Sequence, residues 1–235
     1  MKKFKRLFSL VPGFLLVQLF VTVAYAGDKK FQVGIQLGPF IPQDYMVQGS
    51  SQITYSGSAL QYAVVNGFGY GNDLNLSVVY YFSDWGINLK SGARLLKNKL
   101  EVALPPNGDK DYFENTLTII PVTLSLIDRL KLSDSKFVPY IGMGAGVLIA
   151  HWEEKHYPEN QTRLWLKGSA NPVDFHFLAG FTFPIYYDLL FNGEIEYSYA
   201  PADWKIKNVD TTDEVEMKNL NIGGVALKLG LAFRF

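Results

Sequence analysis

The last stretch of the chain sets Val225, Leu227, Leu229, Leu231, Phe233 and Phe235 against Gly224, Ala226, Lys228, Gly230, Ala232 and Arg234. An apolar residue at every second position is the signature of a strand. On a helix the same residues would advance about 200° per step and scatter round the axis, leaving no single face to bury. The alternation recurs upstream. Phe31, Val33, Ile35 and Leu37 interleave with Gln32, Gly34, Gln36 and Gly38; Leu74 to Phe82 interleave with Asn75, Ser77, Val79 and Tyr81; Ile87 to Leu95 interleave with Asn88, Lys90, Gly92 and Arg94. Four more runs follow: Ile120 to Leu126, Ile141 to Ile149 opposite Tyr140, Gly142, Gly144 and Gly146, Val173 to Phe183 opposite Asp174, His176, Gly180 and Thr182, and Phe191 to Tyr199 opposite Asn192, Glu194, Glu196 and Ser198. The pattern therefore predicts eight strands. Short turns at Ser83-Asp84, around Lys131 to Ser135 and at Tyr186 to Asp188 alternate with long polar segments at about 41–70, 103–113, 153–171 and 201–217. Such links suit antiparallel strands in up-and-down order, with both termini at the short-turn side.

The two faces differ in bulk: one carries Leu, Ile, Val and Phe, the other glycine, alanine and a few long polar side chains. A closed barrel of eight strands has an interior just wide enough for side chains. The glycine-rich face suits that interior, where Gly142, Gly144 and Gly146 would make room for Arg, Lys, Glu and Tyr from opposite strands, and the bulky apolar face suits lipid. Lipid cannot hydrate backbone amides, so a sheet crossing it must close on itself, and tilted strands of roughly 9–11 residues suffice. Past residue 26 no run of 18 apolar residues occurs, which leaves no ordinary transmembrane helix. Aromatic residues near the short turns, among them Tyr80, Tyr81, Phe82, Trp85, Phe137, Tyr140, Phe183, Tyr186, Tyr187, Phe191 and Phe235, read as an interfacial girdle. The fold expected is all-β: an eight-stranded antiparallel up-and-down transmembrane β-barrel.

The first 26 residues read differently. Lys2, Lys3, Lys5 and Arg6 precede an apolar run from Leu7 to Val23, and Ala24-Tyr25-Ala26 supplies small residues before a cut. This is the pattern of a secretory signal peptide, residues 1–26, cleaved to leave a barrel domain of residues 27–235. The formal charge of zero, 22 basic against 22 acidic, then becomes 18 against 22. A mildly acidic domain has no basic surplus to attract nucleic acid. With no cysteine among 235 residues, packing and hydrogen bonds alone must hold it together.

The signal peptide, the eight-strand pattern, the segment Pro139-Tyr140-Ile141-Gly142-Met143-Gly144-Ala145-Gly146 and the terminal aromatic Phe235 resemble the small outer-membrane β-barrel family of Gram-negative bacteria, which includes OmpX-, OmpW- and OmpA-barrel-type proteins. The resemblance spans essentially the whole mature chain. It implies a monomer in the bacterial outer membrane, surrounded by its lipids and lipopolysaccharide. It also implies that Phe233 and Phe235 form the terminal signal read by the barrel-assembly machinery. OmpW-type relatives are thought to pass small hydrophobic molecules, which makes a narrow channel the transport alternative to a structural, surface-binding or envelope-integrity role.

Candidate chemistry lies on the inward phase. Lys90, Arg94, Lys228 and Arg234 face Asp174, Glu194 and Glu196, and opposite charges in a narrow lumen are expected to pair, because a lone desolvated charge costs several kcal/mol. His151, Glu153, Glu154 and His156 stand together but lack the helical H-E-x-x-H spacing, so a solvated loop is expected and no metal site. Gly142 to Gly146 lacks the spacing and following helix of a phosphate loop. His176 has no serine near it in sequence, so a lipid A-modifying enzyme is only the second alternative. No catalytic residue and no cofactor is assigned, and the protein is read as not an enzyme.

Overall fold

The computed structural model describes residues 30–43, 50–55, 58–63, 70–104, 109–130, 132, 135–157, 164–209 and 214–235; the candidate signal peptide lies outside them. Among the described residues it contains thirteen strands and no helix. In chain order these are β1 (Phe31–Pro42), β2 (Ser50–Tyr55), β3 (Ser58–Ala63), β4 (Gly71–Tyr81), β5 (Trp85–Leu104), β6 (Asp109–Arg129), β7 (Val138–Tyr157), β8 (Leu164–Ala170), β9 (Val173–Tyr186), β10 (Leu189–Tyr199), β11 (Pro201–Asn208), β12 (Glu214–Asn221) and β13 (Gly224–Arg234). β1 pairs with both β4 and β13, and β4, β5, β6, β7, β9, β10 and β13 pair successively, all antiparallel. The sheet thus closes as an eight-stranded up-and-down barrel; β2 and β3 form a separate hairpin.

The register fixes the shape of that barrel. A circuit leaving β1 at Phe31 passes Tyr80, Ile87, Leu126, Met143, Phe177, Tyr197 and Val225, and returns to β1 at Ile41, ten residues further on. At about 3.3 Å per residue and about 4.8 Å between strands, this stagger tilts the strands by roughly 41° and sets the backbone walls about 16 Å apart. Side chains alone can fill such a bore. Each residue then rises about 2.5 Å along the axis, so the outward apolar run from Val225 to Phe235 is about 25 Å tall, the height of the band on membrane barrels. That outer face is open on every strand: Leu37, Leu76, Met143, Phe177 and Leu229 are each between 57% and 64% exposed. Apolar side chains this bare, in a continuous ring, require lipid around them.

All four long polar links expected from the sequence contain strand residues instead, the first of them holding the β2–β3 hairpin. β5, β6 and β7 run past the apolar band, and residues of the 153–171 and 201–217 segments form β8, β11 and β12. β8 carries on the register of β9, with Ala150 opposite Ala170 and Val147 opposite Val173, and β11 carries on that of β10. What changes along each strand is the medium outside it. On β7 the outward residues pass from Met143, Val147 and Ile149 to His151, Glu153 and Lys155, while the inward ones pass from Gly144 and Gly146 to Leu148, Ala150 and Trp152. The alternation continues with its polarity reversed, as in a soluble β-protein. Segments rich in exposed polar residues therefore read as loops when apolar bulk on the outer face is the criterion.

Tyr81 and Tyr140 depart from the expected girdle. They share the phase of Asn75 and Gly142, point inward, and pack with Val79, Ile127 and Leu178 into a small apolar floor at the short-turn end. Tyr80, Phe82, Trp85, Tyr186 and Tyr187 do lie on the outside.

Leu124 stands mid-band on β6, whereas Ser169 on β8 lies above the band on the exposed outer face. Arginine at position 124 is expected to lower the folding free energy in bilayers by about 2–4 kcal/mol and at position 169 by less than about 1 kcal/mol, measured by denaturant unfolding in lipid vesicles.

Candidate functional site: the barrel lumen

Above the apolar floor the lumen is crossed by a layer of buried ion pairs. Asp73 comes from β4, Lys90 and Arg94 from β5, Glu194 and Glu196 from β10, and Lys228 from β13. Glu196 meets all three cations: Lys228 Nζ at 2.7 Å, Arg94 Nη2 at 2.6 Å and Lys90 Nζ at 3.1 Å. Glu194 accepts from Lys90 at 2.5 Å, from Lys228 at 3.2 Å and from the Tyr140 hydroxyl at 3.0 Å. Asp73 accepts from Arg94 Nε at 3.2 Å and from Asn75 Nδ2. Three cations thus face three anions. The balance is required, because each desolvated charge is tolerated only while its partners remain. The Arg94 guanidinium also sits 4.6 Å from the centre of the Phe40 ring, at the junction with the apolar layer above.

A second polar arrangement lies across the bore, on β6, β7 and β9. Ser125 Oγ is 2.8 Å from His176 Nε2, and His176 Nδ1 is 2.8 Å from Asp174 Oδ2; all three residues are buried. An ionised carboxylate only accepts, so with a neutral imidazole the proton sits on Nδ1 and the Nε2 lone pair faces the serine hydroxyl. Ser125 and His176 lie on either side of β7, each opposite Gly144 in its ladder. They meet only because Gly144 lacks a side chain: a Cβ there would come within 2.7 Å of His176 Nε2 and would overlap the Leu124 carbonyl oxygen. The glycine face of β7 is thus occupied by side chains of adjacent strands, Ile127, Leu178, His176 and Thr123, rather than by the Arg, Lys, Glu and Tyr expected to fill it.

At the end away from the short turns the interior is apolar. Phe40, Leu96, Leu117, Ile119, Leu148, Trp152, Leu166, Trp204 and Ile206 form one buried cluster. Glu154 is buried here on the inner face of β7, in a part of the strand that has already left the apolar band, and burial raises its carboxyl to about 7. His151 and Glu153 point outward on the same strand, on the opposite face from Glu154, and the His156 side chain lies outside the described residues. The three described side chains weighed as metal ligands, His151, Glu153 and Glu154, therefore do not converge, and all four residues stand on a strand rather than in the expected loop.

No family model and no curated protein sequence matches the chain. Solved structures do. The outer membrane protein OprG from Pseudomonas aeruginosa superposes with a TM-score of 0.55 at 16% identity, over 88% of this chain and 95% of OprG. A major outer membrane protein from Thermus thermophilus gives 0.50 at 12% identity, over 88% and 98%. The chain has the fold of the small outer-membrane β-barrels. Neisserial surface protein A matches over a similar span, with a TM-score of 0.45 at 13% identity, 88% of this chain and 98% of its own.

Within this outer-membrane-type barrel, five of the charged residues singled out from the sequence, Lys90, Arg94, Glu194, Glu196 and Lys228, meet in one layer. Asp174 is instead held by His176. Arg234 is half-buried at the short-turn end, six residues along β13 from Lys228. Asp73 and Ser125 escaped the sequence reading. Asp73 shares the phase of Asn75 one step before the run that begins at Leu74, so extending the strand backward finds it. Ser125 is 51 residues from His176, and only the register through β7 joins them.

Glu196→Ala would strand three cations beside two anions. It is expected to lower the barrel's stability by about 3–5 kcal/mol, read as a fall in the temperature at which the compact band of unboiled samples is lost on gels. An unchanged midpoint would mean that water reaches the cations. For Glu154, a folded value of about 7 against an ordinary 4.5 makes its contribution to stability greatest below about pH 4.5 and lost as pH rises to about 7. Glu154→Gln is expected to flatten that slope and to stabilise the barrel at pH 8 by roughly 2–3 kcal/mol, measured by denaturant unfolding at pH 5 and pH 8.

Proposed function

We propose that the protein is a closed barrel of a bacterial outer membrane, exported by residues 1–26, whose role is structural or surface-binding and exercised from its outer wall and far end. The observation that carries this reading is the charge-balanced layer across the lumen, in which Lys90, Arg94 and Lys228 are fully engaged by Asp73, Glu194 and Glu196. The apolar cluster beyond it leaves an ion no hydrated route. On the outer wall above the apolar band, Trp165 is covered by Lys167 at 4.1 Å and Lys155 at 5.7 Å, a cation and aromatic pairing suited to the phosphate-rich headgroups of lipopolysaccharide. On β13, which closes the barrel against β1, the outward Phe233 ring and the terminal Phe235 ring lie 5.0 Å apart. These two aromatics support recognition of the C-terminal strand by the barrel-assembly machinery.

A second reading is supported by the interior at the far end. Phe40, Leu117, Leu148, Trp152 and Trp204 form an apolar lining, which favours passage or retention of small hydrophobic solutes over ions. Single-channel recording separates the two. The refolded protein in planar bilayers is expected to give no stepwise conductance, and unitary steps in 1 M KCl would overturn the closed-barrel reading. Vesicles carrying the protein that take up a hydrophobic fluorophore faster than empty ones would favour the second.

A further inference from the structure

We propose that Ser125 is a nucleophile for acyl transfer, activated by His176 and positioned by Asp174, with the Asn88 amide stabilising the oxyanion. The hydrogen-bond chain has the order and spacing such chemistry needs: Ser125 Oγ to His176 Nε2 at 2.8 Å, and Nδ1 to Asp174 Oδ2 at 2.8 Å. The three groups come from two strands that do not touch, bridged over Gly144. A purely structural need to satisfy a buried serine would be met by any acceptor; here the acceptor is an imidazole whose far nitrogen is held by a carboxylate. Asn88 adds an independent observation. It stands directly opposite Ser125 in the β5–β6 ladder, points into the lumen, and its buried Oδ1 has no hydrogen-bond partner. An amide in that place, not committed through its oxygen, can turn its Nδ2 toward a carbonyl oxygen attacked by Ser125.

The substrate class follows from what lies above the serine. Ile119 is six residues along β6 from Ser125, Leu148 is four along β7 from Gly144, and both belong to the apolar cluster. Between them and the serine stand Gly92 and Gly146, with the Asn75 and Thr123 side chains lying over them on the inner faces of β5 and β7. An acyl chain with its ester carbonyl leading would enter from the far end by parting this apolar cluster and displacing those side chains. Ser125 Oγ bonds to the carbonyl carbon while its proton passes to His176 Nε2. The ester C–O bond then breaks, and the proton leaves on the alcohol. Water attacks the acyl-serine with its proton going to the same nitrogen, and the carboxylic acid departs as Ser125 recovers its hydrogen. The net reaction is ester plus water to acid plus alcohol, with no other reactant. It does not depend on the conductance of the barrel, since the ion layer stands on β4, β5, β10 and β13 and the nucleophile on β6.

The test uses the refolded mature chain in detergent micelles with a long-chain alkyl fluorophosphonate, read by intact mass and peptide mapping. A single adduct on Ser125 is expected, absent in Ser125→Ala. His176→Gln is expected to slow labelling by at least about 10³-fold and Asn88→Ala by about 10²-fold, with unboiled gels verifying that each variant is folded. Absence of an adduct on Ser125 in the folded wild-type barrel would overturn the proposal. So would labelling that proceeds equally in folded His176→Gln; should that variant not fold, an unchanged rate in Asn88→Ala has the same force. Hydrolysis of p-nitrophenyl laurate that is lost in Ser125→Ala would establish turnover.

Discussion

A backbone in hydrocarbon has nowhere to place its amide hydrogen bonds except on itself, and the rest of this structure depends on that constraint. It forces the sheet to close, and eight strands staggered by ten residues close it at one diameter. The bore is then just wide enough for side chains to fill. What fills it is decided layer by layer: an apolar floor around Tyr81 and Tyr140, a belt of ion pairs, and an apolar cluster around Trp204.

The ion layer and the apolar band outside it share a height, and the pairing is physically coherent. Where lipid takes the apolar residues, the inner face is left with polar ones, and these satisfy each other as buried ion pairs. Beyond the band the outer face meets water and the arrangement turns over: Glu153, Lys155 and Lys167 face out, while Leu148, Trp152 and Ile206 face in. One wall thus carries two kinds of packing in series. A membrane barrel is continued by a collar built like a soluble β-protein, with no change of strand register between β9 and β8.

Glycine supplies the tolerance that lets inner side chains reach past their own strand. Gly144 is the instructive position, because the imidazole of His176 lies over it to meet Ser125 on the far side. A residue with any side chain there would separate the two. The same three-strand crossing makes the Ser125, His176 and Asp174 chain a property of the closed sheet rather than of any one segment.

Period two was legible in the sequence from Phe31 to Phe235, and with it the number of barrel strands, their antiparallel order and the inward phase of Lys90, Arg94, Glu194, Glu196 and Lys228. These are local facts, since side-chain direction in a strand is set by parity alone. Parity does not say how far one strand slides against the next. That slide decided that Glu196 meets three cations, that Asp174 belongs to His176 instead, and that Ser125 stands across Gly144 from an imidazole. Nor does parity say where the lipid ends. The strands of 153–171 and 201–217 read as loops because their apolar residues lie on the face that was expected to be polar, and only the tertiary structure, by giving that face an apolar interior to pack against, made strands of them.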